Sequence, residues 1–200
     1  VGCGNYPRNP FGAKNLMGAD ILEREFLSTD TDFEYIKVGT DGRLPLENNS
    51  IDSVSGFDFI EHLPRGSNAE SNLFIQFMNE AYRVLRSDGV LLLVTPAFPS
   101  PAAFQDPTHV NFITEETITY FTGKNPGATH LGYGFRGNFE LIKQEWVGPM
   151  SQIWEVTPSI NAKHHLAASI QNFLIHFFLG ARSEVSLVRH LTSIYNTLCA

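Results

Sequence analysis

The apolar positions of the chain fall into short runs, most too brief for a helix, with one stretch of clear helical periodicity among them. Val1 reads as the end of a strand whose earlier part precedes the sequence. Asn15–Ile21 and Phe33–Val38 read as the next strands, each ending near an acidic residue, Asp20 and Asp41, and Ile51–Phe57 as a further one. A helix is predicted from a Ser67 or Asn68 cap to Leu85, with Ser87-Asp88-Gly89 as its stop signal. Its Phe74, Phe77, Met78, Ala81 and Leu85 recur at helical spacing and should face a sheet. Val90–Val94 is uninterruptedly aliphatic, as a strand covered on both faces requires. Short strands alternating with a long helix predict an α/β fold built on a mostly parallel sheet.

The rest of the chain is less regular. A Pro-rich loop spans Ala97–Asn111, and Thr114 is placed to cap a short helix carrying Glu115 and Glu116 in its first turn. Phe139–Val147 and Ile153–Val156 read as an antiparallel hairpin around Gly148-Pro149. From Asn161 the chain reads as helical, with Leu166, Ile170, Phe173, Leu174 and Phe177 on one side. The expected division is therefore a domain over residues 1–158 and a helical C-terminal extension over 159–200.

Composition narrows the function. Hydrophobic residues make up 42% and charged residues 18%, so the chain has the apolar content to fold around a core. The formal charge is −7 and no basic stretch can follow a phosphate backbone, so nucleic acid is not expected as a partner. Two cysteines, Cys3 and Cys199, provide neither a disulfide framework nor metal-ligand spacing, which fits a reducing, cytoplasmic setting. The most apolar run, Phe173–Leu179, is broken by His176 and is too short to cross a bilayer.

Three signals carry chemistry in the first part of the chain. Gly2-Cys3-Gly4 lets the backbone turn sharply and bring amides against a ligand, because no Cβ intervenes. A dinucleotide fingerprint would want a further glycine at position 7 and a long helix behind it, but Pro7 and Pro10 stand there, which disfavours a nicotinamide cofactor. Asp20 follows Gly2 by eighteen residues, where a carboxylate can accept hydrogen bonds from both hydroxyls of a ribose. Asp41, in Gly39-Thr40-Asp41, stands at the next strand end, from which it can accept from an adenine amino group.

These residues belong to an ordered series. Val1-Gly2-Cys3-Gly4, Gly18-Ala19-Asp20-Ile21, Asp41-Gly42-Arg43-Leu44-Pro45-Leu46, Ser50-Ile51-Asp52-Ser53-Val54, Ile60-Glu61-His62-Leu63 and Tyr82-Arg83-Val84-Leu85-Arg86-Ser87-Asp88-Gly89 resemble the motifs of class I S-adenosylmethionine-dependent methyltransferases, the type 11-like group in particular, over residues 1–96. The resemblance implies a Rossmann-like fold, S-adenosylmethionine as cofactor, and a cofactor site formed by Gly2, Cys3, Gly4, Asp20, Ile21, Asp41, Gly42, Phe57 and Glu61. Members of that group carry a helix after the glycine loop, whereas Pro7, Pro10 and Gly12 predict an extended loop here.

Beyond that region, Asp106-Pro107-Thr108-His109-Val110-Asn111-Phe112 should hang over the carboxyl ends of the strands. His109 is the candidate general base, Asp106 its orienting partner and Asn111 a holder of an acceptor hydroxyl. The alternative is a loop clamp in which the same side chains bond local backbone. Tyr6, Phe98, Phe104 and Phe112 are candidates for walling an acceptor pocket. His62 reads as a junction residue rather than a catalyst. His164-His165 are adjacent and diverge on a helix, so no metal is expected. The predicted reaction is direct methyl displacement onto a small-molecule, sugar or lipid-precursor acceptor, with a homodimer through the C-terminal helices. A second reading is a non-catalytic subunit of the same fold that uses those helices to bind a protein partner.

Overall fold

The computed structural model describes residues 1–4, 7–22, 33–68 and 71–147, and the backbone of 174–181. Strands β1 (Leu16–Asp20) and β2 (Phe33–Lys37) pair in parallel, as do β3 (Ile51–Phe57) and β4 (Leu85–Pro96). β5 (Phe139–Val147) and β6 (Leu174–Ala181) extend the second group in the order β3-β4-β6-β5, with β6 antiparallel to both neighbours. The start of the chain bridges the two groups. The Val1 nitrogen donates to the Ser55 carbonyl at 2.7 Å and the Cys3 amide to the Ala19 carbonyl at 3.2 Å, placing Val1–Cys3 between β3 and β1 without a regular ladder. A trough of about 500 Å³ runs along this gap from Gly2 and Gly4 down to Ser50 and Arg86.

The central strand β4 is aliphatic from Val90 to Val94 because neighbours cover both its faces, and these five residues are at most 5% exposed. Helix α1 (Leu73–Val84) packs on the sheet through Ile75, Phe77, Met78, Ala81 and Val84. Its amphipathic spacing, not propensity alone, fixes it there, since burying such a face supplies most of a helix's stability in a protein. On its outer side Glu80 accepts the Leu44 amide at 3.0 Å and Arg83 donates to the Leu44 and Leu46 carbonyls, tying down the loop that follows Asp41.

Four features differ from the sequence expectation. The helix begins one turn later than Ser67 or Asn68. Asn68 forms its own turn by accepting the Ser71 amide at 2.9 Å, while Asn72 is the cap, its side chain accepting from Phe74 and Ile75. Ser87-Asp88-Gly89 does not stop a helix: the backbone turns extended at Leu85, and these residues lie in β4. The segment Leu174–Ala181, with Leu174 and Phe177, is a strand and not part of a helix, because its apolar run fits a slot between two strands and short apolar runs match either period. That strand also takes the place beside β5 expected for Ile153–Val156, which lies outside the described residues, as do Leu166, Ile170, Phe173 and the His164-His165 pair.

Thr114 precedes a 3-10 turn over Glu115–Tyr120, and its amide donates to Thr117 Oγ1 at 2.9 Å. Among the described residues no helix is long and apolar enough to cross a membrane.

Candidate active site

The carboxyl ends of β1 and β3, the turn at Gly2–Gly4 and the loop after β4 meet at one edge of the molecule. Gly2 and Gly4 have φ of +58° and +59°, a region that side chains disfavour. A Cβ on Gly2 would stand 2.5 Å from Phe59 Cδ2, so only glycine lets the turn approach the end of β3. β1 delivers Asp20 beside it. Asp20 Oδ2 accepts the Gly4 amide at 3.1 Å and Oδ1 the Leu22 amide at 3.2 Å. The carboxylate thereby shapes the turn and stands at the strand edge beside it.

The other predicted cofactor residues are placed unevenly. Asp41 is exposed after β2, where its Oδ1 accepts the Arg43 amide at 3.1 Å and Gly42 turns with φ +71°. Ile21 is 62% exposed just beyond β1. Phe57 ends β3 with the Arg8 guanidinium 4.4 Å from its ring centroid, a cation-π contact. Cys3 is half-buried, close to Gly18.

Glu61, expected beside the cofactor, lies in the turn after β3. Its side chain is 1% exposed and turned inward, with Thr95 Oγ1 donating to Oε2 at 2.9 Å and Oε1 without a hydrogen-bond partner. Burial pushes its carboxyl up to about 7, against the opposing effect of its hydrogen bonds. Its backbone carbonyl holds the loop after β4, accepting the Val110 amide at 2.8 Å and the Asn111 amide at 3.0 Å.

Asn111 is a clamp, with both amide hydrogens spent on backbone carbonyls. Its Nδ2 donates to the Ile60 and Leu63 carbonyls at 2.8 and 2.7 Å, and its Oδ1 accepts from Arg65 Nε at 3.0 Å. Asp106 is likewise occupied with its own loop, accepting from the Thr108 amide at 2.8 Å and hydroxyl at 2.7 Å, which holds its carboxyl below the usual range. It stands 4.0 Å from His109 Nε2, beyond hydrogen-bond range, so the expected Asp106–His109 orienting bond is absent. His109 Nδ1 instead lies 3.2 Å from the Ala103 carbonyl, which can only accept. Nδ1 is therefore the donor, and in the neutral ring Nε2 holds the lone pair.

His62 stacks edge-on against His109 with centroids 4.7 Å apart. Its Nδ1 meets Thr108 Oγ1 at 3.0 Å, and because that hydroxyl donates to Asp106, the imidazole must be the donor. Phe98, Phe104 and Phe112 form one exposed aromatic row, Phe104 and Phe112 stacked at 5.4 Å, while Tyr6 lies outside the described residues.

Sequence reasoning missed Asp58 and Arg8. Asp58 follows Phe57 with φ +46°, and its carboxyl, raised by burial, lies within the electrostatic reach of Arg8, His62 and His109. It thus links the glycine-turn side of the edge to the histidine side. The signal available was its place directly after a strand of the sheet; the left-handed backbone that turns it inward has no marker in the sequence.

Residues 1–93 match the family model of the methyltransferase domain. No curated protein matches the chain significantly. Among solved structures, the chain resembles an S-adenosylmethionine-dependent methyltransferase from Methanosarcina mazei at 12% identity and a TM-score of 0.50, over 85% of this chain and 83% of that one. It also resembles such an enzyme from Archaeoglobus fulgidus, at 17% identity and a TM-score of 0.48, over 81% and 75% of the two chains. A third, from Mesorhizobium loti, has 15% identity and a TM-score of 0.46, over 84% and 81%. The ordered motifs and the domain matched over residues 1–93 agree with the Rossmann-like sheet: the chain carries a methyltransferase domain of the class I, S-adenosylmethionine-dependent kind.

Proposed function

We propose that the enzyme transfers the methyl group to a small-molecule acceptor, of the metabolite, sugar or lipid-precursor type, bound over the carboxyl edge of β3 and β4. The cofactor supplies an electrophilic methyl carbon on a sulfonium. Gly2, Cys3 and Gly4 would border its aminoacyl end, Asp20 its ribose hydroxyls, and Ile21, Asp41 and Gly42 its adenine, with Phe57 beside the methionine portion. The observation that supports this best is the Asp20–Gly4 hydrogen bond, which fixes turn and carboxylate together at the strand edge. Displacement at a methyl carbon depends chiefly on alignment and on exclusion of water, so a rigid turn and a clamped loop are the parts it requires.

His109 is the residue placed to take a proton from a hydroxyl acceptor. In the neutral ring its Nε2 is the basic nitrogen, and the Ala103 carbonyl holds the ring's orientation. The exposed Phe98, Phe104 and Phe112 give the acceptor an apolar wall. In this reading the methyltransferase domain reaches Ala181, since β6 lies within its sheet, and the residues after it are left for self-association. Incubation with methyl-labelled cofactor and hydroxylated small molecules tests the proposal. Label should move to an acceptor, and the H109A variant should lose turnover far more than cofactor affinity. Transfer to nucleic acid instead, or an unchanged rate in H109A, contradicts it.

A further inference from the structure

In departure from the sequence expectation of no metal, we propose that Glu61, His62 and His109 form a binding site for a divalent cation of the zinc type. One ligand atom from each of the three lies within 4.8 Å of the others. The donor set of two imidazoles and a carboxylate is one that zinc favours and magnesium does not.

The orientation of both rings carries the argument. Imidazole ligands commonly donate their second nitrogen to a carbonyl or another acceptor, which fixes the tautomer and leaves the first nitrogen free for the metal. His109 does this through Nδ1 to the Ala103 carbonyl, and His62 through Nδ1 to the Thr108 hydroxyl, itself held by Asp106. In its neutral form each ring then presents Nε2 as the ligand atom. The third member is independently incomplete: Glu61 is almost wholly buried, and its Oε1 has no hydrogen-bond partner. Beyond Thr95, only the nearby amides of Phe59 and Glu61 offset the carboxylate's lost solvation, and a cation between it and the imidazoles supplies the missing partner. Zinc holds ligands at about 2.0–2.2 Å, so the three atoms draw together by at most about 1.4 Å on binding.

Three protein ligands leave a fourth position open. The cation takes the same Nε2 lone pair that proton removal uses, so an occupied site silences His109 as a base. That consequence rests on the function proposed above, whereas metal binding does not.

The test is calorimetric titration of Zn²⁺ into chelator-stripped protein, with Co²⁺ as a spectroscopic stand-in and Mg²⁺ as comparison. Zn²⁺ should bind one per chain at this site, Co²⁺ should give visible absorption bands of nitrogen ligation, and Mg²⁺ should not compete. E61Q and H62A should each weaken Zn²⁺ about tenfold or more, and T108A, an exposed change that spares the fold, should weaken it by a smaller factor. Wild-type protein that fails to bind Zn²⁺, or gives Co²⁺ no such bands, overturns the proposal. So does affinity unchanged by E61Q, H62A and T108A in folded protein.

Discussion

The carbonyl of Glu61 accepts the amide of Asn111 at 3.0 Å, and the Asn111 side chain returns two hydrogen bonds to the carbonyls of Ile60 and Leu63. The turn after β3 and the loop after β4 are thereby one unit. Replacing Asn111 by Ala removes a partner from the half-buried Leu63 carbonyl, the Ile60 carbonyl and the Arg65 donor, and should destabilise the protein by about 1–3 kcal/mol. Urea denaturation measures this; a loss below about 0.5 kcal/mol would show that the clamp is dispensable.

Glu61 should make stability depend on pH. Its carboxyl titrates near 7 in the folded protein, against 4.5 for the ordinary group. Between those values the folded state holds the proton and the unfolded state does not, so stability falls as pH rises through this window and levels off above it. The size is on the order of 3 kcal/mol. E61Q should flatten the slope. Denaturation of chelator-treated protein at the two ends of the window checks it, and a rise in stability with pH that E61Q leaves untouched would contradict the assignment.

Asn72 caps α1 through the amides of Phe74 and Ile75 at 3.1 and 3.2 Å. Asn72→Ala should cost about 1 kcal/mol, visible as a lowered thermal midpoint, whereas Asn68→Ala, one turn upstream, should cost less. Equal losses would place the helix start where the sequence suggested it.

The strands were legible wherever the apolar pattern had a single solution. β3 and β5 match their expected limits, β1 and β2 fall within a residue of theirs, and the aliphatic core of β4 was evident. The helix start was obscured because Asn68, Ser71 and Asn72 are all capping types, and only geometry shows which side chain reaches the first free amides. β6 was misread because Leu174 and Phe177 also fit a helical repeat, and the neighbour that decides between the two periods is distant in sequence. At the site, residue type singled out Gly2, Asp20 and His109 as candidates, but it did not reveal that Asp106 bonds Thr108 rather than His109, nor that Asp58 has a left-handed backbone. Those depend on loop geometry, which local pattern does not encode.

Asp106 and His109 should therefore separate in function. Asp106→Asn leaves the Ala103 contact of His109 intact and should keep turnover on a hydroxyl acceptor within about threefold, while H109A should lower it about a hundredfold. Equal losses in steady-state rate would restore Asp106 as the partner of the base.

The central claim is that Asp20 and the Gly2–Gly4 turn hold the cofactor. Calorimetric titration of S-adenosylhomocysteine into the wild-type protein, Asp20→Ala and Gly2→Ala tests it most directly. The wild type should bind one equivalent; Asp20→Ala should weaken binding about tenfold or more, because the ribose acceptors are lost, and Gly2→Ala likewise, because its Cβ would meet the Phe59 ring. Binding that both variants leave unchanged, or no binding to the folded wild type, would contradict the account.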